Sequence, residues 1–197
     1  MSYRPLEYYL QQEAELVKTV REPIFFSWRV EPAVIFGRHQ IKEQEINVAY
    51  CEANGVRIVQ RQSGGGCVYA DEGNVMMSYI SPSQHSKEVF KTFIARIADA
   101  LKQIGYEAVT TEHNDILVDG HKVSGGASYT TPTGTVVHCT MMYDVNIQAM
   151  LEALTPSAEK LAKHSVASVR QRVVNLKEIK DIGTTEQFEQ RLCQILR

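Results

Sequence analysis

The chain has 197 residues, 44% of them hydrophobic and 22% charged, with a formal net charge of −2 at neutral pH. Length and composition suit one globular domain, and the charge balance lacks the basic field that marks nucleic-acid binders. No apolar run is long enough to span a bilayer, and four scattered cysteines (Cys51, Cys67, Cys139, Cys193) without a Cys-x-x-Cys pair argue against a zinc site or a disulfide framework.

The first residues, Met-Ser-Tyr-Arg-Pro-Leu-Glu-Tyr-Tyr, carry no apolar core or cleavage pattern, so no signal peptide and a cytoplasmic location are expected. Leu6 to Val20 reads as an amphipathic helix, with Leu6, Tyr9, Leu10, Glu13, Leu16 and Val17 near helical spacing, and Pro23 beyond its end. Ile24 to Arg29 and Ala33 to Gly37 read as two strands around a Glu31-Pro32 turn. Trp28 suits a core aromatic on composition alone. Ile46 to Ala53 is a short helix.

From Arg61 to Asn74 runs Arg-Gln-Ser-Gly-Gly-Gly-Cys-Val-Tyr-Ala-Asp-Glu-Gly-Asn. Gly64, Gly65 and Gly66 expose bare backbone against which a ligand can lie. No Gly-Lys-Ser/Thr follows, and the spacing is not Gly-x-Gly-x-x-Gly, so the familiar phosphate loops do not fit. Gly55 to Val59 before the glycines and Cys67-Val68-Tyr69 after them read as strands, making a strand, glycine turn, strand unit with Arg61 and Ser63 at the turn. A glycine hairpin without a ligand satisfies the same pattern. Val75 to Ile80 is a further apolar strand.

Ser86 to Ile104 is a helix with Ser86 as N-cap, a stripe of Val89, Phe93, Ile97, Leu101 and Ile104, and Gly105 as the stop. In the stretch that begins at His113, Ile116-Leu117-Val118 and His121-Lys122-Val123 flank Asp119-Gly120, a two-residue hairpin signal. Ser124-Gly125-Gly126-Ala127 follows as a second small-residue segment. Asn114-Asp115 precedes the hairpin, so Asp115 and Lys122 can face each other across it, and a surface ion pair is the plain reading of that placement. A turn at Thr131 to Gly134 leads into a long strand from Thr135 to Tyr143. Ile147 to Leu154 and Ser157 to Lys163 are short helices, Val166 to Leu176 is extended and basic, and Thr185 to Leu196 is a terminal helix with Phe188, Leu192 and Ile195 on one side. Strands interleaved with one long helix predict a mixed α and β domain over residues 1–197, without repeats or linkers.

Taken in order, these segments resemble the lipoate–protein ligase family, whose catalytic domain shares its fold with biotin–protein ligases. Arg61 to Asn74 matches the family's Arg-x-Ser-Gly-Gly-Gly-x-Val-x-His-Asp-x-Gly-Asn. Asn114-Asp115 and Gly120 to Ala127 match its Asn-Asp strand and Gly-x-Lys-x-Ser-Gly-x-Ala. His138-Cys139-Thr140 corresponds to its His-Gly-Thr, and Ser168 to Leu176 to its Ser-Val-Arg-x-Arg-Val-x-Asn-Leu, while Trp28-Arg29 and Gly37-Arg38 look like its first hairpin. The resemblance implies an α+β fold of mixed, largely antiparallel sheets flanked by helices.

It also implies a two-step transfer, in which lipoate and ATP form lipoyl-AMP and the lipoyl group then passes to a lysine of a carrier domain. Expected carriers are the lipoyl domains of 2-oxoacid dehydrogenase complexes or the glycine cleavage H protein, with no nucleic-acid or membrane partner. Lys122 and Asp115 are then the catalytic candidates, with Asp115 positioning Lys122, positioning the carrier lysine or holding Mg2+. Trp28, Arg61, Ser63, Gly64, Gly65, Gly66, Asp71, Asn74, Asn114, Ser124, Gly125, Ala127 and His138 are expected to bind the substrate or the adenylate. Trp28, Val75 and Met77 are candidates for an apolar slot for the acyl tail.

Three departures qualify the resemblance. Ala70 replaces the family's usual histidine and Cys139 its glycine. The chain also stops soon after Asn175-Leu176, without the small C-terminal domain that helps adenylation in larger ligases, so the expectation is either a separate partner protein or a weak first step. Two other readings stand beside the ligase. One is a lipoyl or octanoyl transferase without its own activation step, in which Cys67 or Cys139 carries the acyl group; the other is a non-catalytic module that binds the acyl-adenylate or the carrier.

Overall fold

In the computed structural model, residues 3–112, 114–154 and 173–197 are described. Nine strands form two sheets: β1 (Ile24–Trp28), β2 (Ala33–Phe36), β3 (Arg57–Gln60), β4 (Val68–Ala70), β5 (Asn74–Ser81), β6 (Ala108–Thr110), β7 (Ile116–Val118), β8 (His121–Thr131) and β9 (Gly134–Met142). The larger sheet runs β1-β5-β9-β8-β7-β6, with every neighbouring pair antiparallel. The smaller runs β3-β2-β4, with β2 parallel to β3 and antiparallel to β4.

Helices cover both faces of the larger sheet. The 19-residue α4 (Ser86–Ile104) buries the whole predicted stripe from Val89 to Ile104 and ends at Gly105, whose φ of 103° lies in the left-handed region that terminates helices. It packs with the C-terminal helix (Thr185–Leu196) and β5, β8 and β9 around Phe93, Phe188 and Tyr143. On the opposite face α1 (Leu6–Thr19) lies over Trp28 and Met76 near its start and over Ile80 and Val136 near its end. Val48–Ala53 and Ile147–Ala153, the helices α3 and α5, cover the small sheet. Two single-turn helices, α2 (Lys42–Glu45) and α6 (Leu176–Ile179), are also present among the described residues, where the C-terminal helix is numbered α7. Among the described residues no helix is long and apolar enough to cross a membrane.

Alternation along the central strands gives the larger sheet two different faces. Ser78, His138 and Ala127 form one row across β5, β9 and β8, and Met76, Thr140 and Gly125 form the next. The intervening rows, Met77-Cys139-Gly126 and Val75-Met141-Ser124, belong to the α4 side. Between Lys122 and Ser124 the pairing with β7 slips, because Leu117 stands opposite Lys122 while Ile116 stands opposite Ser124. The extra residue, Val123, is fully buried in the α4 core. A bulge of this kind reverses the parity, so Lys122 shares the face of Gly125 rather than that of Ser124.

The structure corrects several expectations. The strands at 24–28 and 33–36 do not form a hairpin, since they lie in different sheets. Nor do the strands flanking the glycines pair with each other: β3 and β4 both pair with β2, and the glycine segment crosses over the end of that strand. β1 is taken up by β5 and β2 by β3 and β4, so these more distant partners replace the local pairs. His85, not Ser86, is the N-cap of α4, and it makes no side-chain cap bond. Asn175-Leu176 begins α6 rather than continuing an extended segment. The expected helix from Ser157 to Lys163 and the basic stretch from Val166 to Arg172 lie outside the described residues, as does His113.

Gly73 sits where β4 turns into β5, and a Cβ there would collide with the carbonyl of Asp144 and the following amide. Backbone cannot yield as a side-chain tip can. Gly73→Ala should therefore cost about 1–3 kcal/mol of stability, read as a lower urea midpoint with an unchanged slope.

Candidate functional site

Where α1, the end of β2 and the cleft face of the larger sheet meet, they enclose a cleft of about 160 Å³. One end is apolar, lined by Leu10, Trp28, Ile35 and Met76; the other holds Lys122, Asp115 and Thr140, with Gly66 and Cys67 along one wall. Lys122 Nζ lies 2.8 Å from Asp115 Oδ1, and the two side chains are 41% and 26% exposed. At that exposure the pair adds little to stability, so its consequence is orientation. The left-handed Asn114 (φ 62°) turns the chain into β7, and Thr111 accepts its amide while the Thr111 hydroxyl accepts that of Asp115. Gly125 keeps the space above its strand free, since a Cβ there would come within 3.1 Å of Lys122 Nζ.

The glycine segment is held from beneath. Arg61, only 6% exposed, donates from Nη2 to the carbonyls of Gly64 and Gly66 at 2.7 Å each and from Nη1 to Ile35 at 2.9 Å. Its Nε donates to Ser63 Oγ at 2.9 Å. Burial lowers its pKa from the ordinary arginine value, yet a guanidinium keeps its charge across the physiological range. Arg61 thus spends four of its roughly five N–H groups on the protein, and its direct effect is to arch the loop rather than to grip an anion. Gly37 allows the close approach, because a Cβ there would strike the carbonyl of Gly65. At Gly64 and Gly66 a Cβ would meet nothing within 4 Å, so these two residues turn bare backbone toward open space.

Behind the cleft lies a buried polar chain. Trp28 Nε1 donates to Ser78 Oγ at 2.8 Å, and Ser78 donates to Glu13 Oε1 at 2.6 Å. Glu13 Oε2 is 3.0 Å from His138 Nδ1, and His138 Nε2 is 2.7 Å from Ser63 Oγ. Glu13 is 1% exposed and Ser63 fully buried. Trp28 is also stacked on Tyr9, with ring centroids 4.7 Å apart.

Of the residues singled out in the sequence, Trp28, Arg61, Gly66, Asp115, Lys122, Gly125, Ala127 and His138 come together around the cleft. Gly64, Gly65 and Asn114 border an adjoining recess that shares Ala127. Ser63 lies beneath the loop. Asp71 and Asn74 stand elsewhere: Asp71 accepts the amides of Gly73 at 2.8 Å and Asn146 at 2.9 Å, tying the β4–β5 turn to the start of α5, and burial raises its pKa. Ser124 faces the α4 core with its hydroxyl buried. Val75 and Met77 are corrected as wall candidates, since both point into that core and Met76 between them lines the cleft. Glu13 and Ser78 escaped the sequence reading. For Glu13 the signal was present, an acid on the apolar stripe of α1.

Cys139 also belongs to the α4 core, 2% exposed, and burial pushes its thiol up to about 12. A thiol so placed is a poor nucleophile at neutral pH. Among the described residues no group of three or more His, Cys, Asp or Glu side chains is arranged to hold a metal ion. Asp115 fits as a single carboxylate ligand, which is the usual protein share of a magnesium ion that arrives with a nucleotide.

The chain matches the model of the lipoyl protein ligase A/B catalytic domain over residues 5–197, and it belongs to that family. It is 40% identical over 166 residues to the lipoate-protein ligase LplJ of Bacillus subtilis, an alignment covering 83% of this chain and 50% of that protein. In fold it is similar to a bipartite lipoate protein ligase from Thermoplasma acidophilum, with a TM-score of 0.86, 24% identity, and coverage of 95% of this chain and 76% of the other. It is also similar to lipoate-protein ligase A solved with ATP, with a TM-score of 0.83, 23% identity, and coverage of 95% and 77%. The chain spans 50% to 59% of the length of five curated lipoate-protein ligases that it matches.

The state of Cys139 leads to a measurable pH effect. Folding raises its pKa, so ionisation favours the unfolded chain; its contribution is intact below the ordinary value of 9.0 and is lost as pH rises toward about 12. The stability of Cys139→Ala should decline less steeply than that of the parent over this alkaline range in urea unfolding at fixed pH. Equal slopes would show that the thiol ionises as freely folded as unfolded.

Proposed function

We propose that this chain joins lipoate to AMP at the expense of ATP and then transfers the lipoyl group to a lysine of a carrier domain. The observation that carries the reading is the convergence in one cleft of an apolar slot, a bare backbone wall at Gly66 and the amine of Lys122. The names of the relatives and the nucleotide in the ligase A structure support the choice of substrates.

In the first step a carboxylate oxygen of lipoate attacks the α-phosphorus of ATP and pyrophosphate departs. Both reactants are negative, and Lys122 lowers the repulsion by facing the oxygens on which charge accumulates. Asp115 holds that amine in place and would supply one oxygen to a Mg2+ ion, whose charge would offset that of the phosphates. Trp28, Leu10 and Met76 hold the acyl chain and exclude water from the mixed anhydride. In the second step the neutral amine of the carrier lysine attacks the acyl carbon, AMP leaves with the bonding electron pair, and the nitrogen gives up a proton.

The carriers that fit are lipoyl domains of 2-oxoacid dehydrogenase complexes or the glycine cleavage H protein; the Thermoplasma ligase is described with its E2 lipoyl domain. The Thermoplasma ligase is bipartite, and by analogy a separate protein would assist the first step; the use of ATP suits a cytoplasmic enzyme.

Pyrophosphate release from ATP, Mg2+ and lipoate tests the first step, and transfer from preformed lipoyl-AMP tests the second. Both should proceed. Transfer alone would make the chain a transferase that depends on an outside activation step, and failure of both, with and without a carrier, would leave a binding module. Lys122→Ala should lower the adenylation rate by on the order of 10²–10³-fold, whereas Cys139→Ala should keep it. The reverse pattern would replace this mechanism with a thioester route.

A further inference from the structure

The buried chain from Trp28 to Arg61 has a fixed direction, which follows from which groups can donate. An indole N–H and a guanidinium can only donate. Ser78 therefore accepts from Trp28 and turns its own hydrogen toward Glu13, while Ser63 accepts from Arg61 Nε and, against a neutral imidazole, gives its own hydrogen to His138 Nε2. His138 Nε2 is then the acceptor, the ring proton sits on Nδ1, and it is donated to Glu13 Oε2. Two runs of donors thus converge on one carboxylate, and every bond has a single sense.

We infer that Glu13, His138 and Ser63 are positioning residues that set the placement of the glycine loop from behind, through Arg61. None has its polar atoms free for a ligand in this arrangement: both ring nitrogens of His138, both oxygens of Glu13 and the hydroxyl of Ser63 are bonded within the protein. What the chain fixes is the Arg61 side chain, whose other N–H groups carry the carbonyls of Gly64, Gly66 and Ile35. Gly64 to Gly66 have no side chains of their own and rest on that guanidinium. Gly66 in turn forms the wall opposite Lys122. A slip at Glu13 is passed along by bonds of 2.7–3.0 Å to the backbone that faces the substrate. Glu13 belongs to α1, His138 to β9 and Ser63 to the loop, so the chain also ties three separate elements to one site.

The rate effect rests on the ligase reading, but the structural effect does not, and the two are measured separately. Glu13→Gln preserves volume while replacing one acceptor by a donor, so both of its bonds cannot keep their sense. In the parent protein without substrate, nitrogen NMR of labelled histidine should place the neutral His138 proton on Nδ1. In Glu13→Gln, amide exchange at Gly64 to Gly66 should quicken while exchange in α4 stays as it was. With lipoate and ATP, kcat for pyrophosphate exchange should fall by on the order of 100-fold with KM nearly unchanged, because a misplaced wall penalises geometry more than ground-state binding. Glu13→Gln combined with Ser63→Ala should cost little more than either alone, as expected for links of one chain.

A His138 proton on Nε2, or loop exchange unaltered in the folded Glu13→Gln protein, overturns the inference whatever the activity. A rate within twofold of the parent overturns its functional half. Should Glu13→Gln fail to fold, Ser63→Ala provides the same exchange and rate readouts. If the parent is inactive, the ligase reading fails while the histidine and exchange measurements still decide the chain's role.

Discussion

The parity of the central strands is the constraint on which the site depends. β5, β8 and β9 each send alternate residues to opposite sides, and the two sides have different fates. One is sealed by α4 and α7 and packs the main apolar core around Phe93, Leu101 and Phe188. The other presents Ser78, His138, Ala127 and Gly125 to α1 and the glycine loop. Lys122 would fall on the sealed side by simple alternation. The bulge at Val123 changes that, and it puts a cation where strict alternation would place a core residue. A single residue of register thus separates an amine at the cleft from a buried charge that the α4 core could not tolerate.

Glycine has three different uses around the cleft. Gly37 and Gly73 permit backbone to meet backbone, and at both a Cβ has no room. Gly125 makes room for a neighbouring side chain. Gly64 and Gly66 do something else: they border empty space, so their lack of a side chain serves whatever enters from outside. The buried Arg61 makes this affordable, because an unsupported run of glycines would carry the largest conformational entropy of any such segment.

Much of this was legible in the chain. The α4 stripe, its Gly105 stop, the Asp119-Gly120 hairpin and the terminal helix rest on local periodicity and turn chemistry, and they stand at the expected residues. The pairing of β2 was not legible, because its partners lie more than twenty residues further along and no local signal marks them. Choosing Val75 and Met77 over Met76 was an error of parity: all three are apolar, and composition cannot say which face a strand gives to which layer. Glu13 was visible as an anomaly on an apolar stripe, but its partners at 78 and 138 come from distant strands. Arg61 was expected to bind the substrate or the adenylate, whereas its surroundings turn it inward to carbonyl oxygens.

The insertion of β2 between two later strands has a bearing on how the molecule comes into being. Neither β3 nor β4 can find its place until residues 33–36 lie between them, and the wall of the cleft is the connection joining those two. Its opposite wall needs β8 and β9, and Val174 closes beside Lys122 by donating to that residue's carbonyl. On a ribosome, where the chain emerges from its N-terminus, most of the polypeptide must therefore be outside the tunnel before any substrate could be held. The apolar end of the cleft draws on Leu10, Trp28, Ile35 and Met76, all in the first half of the chain, whereas the amine of Lys122 comes only with the second half.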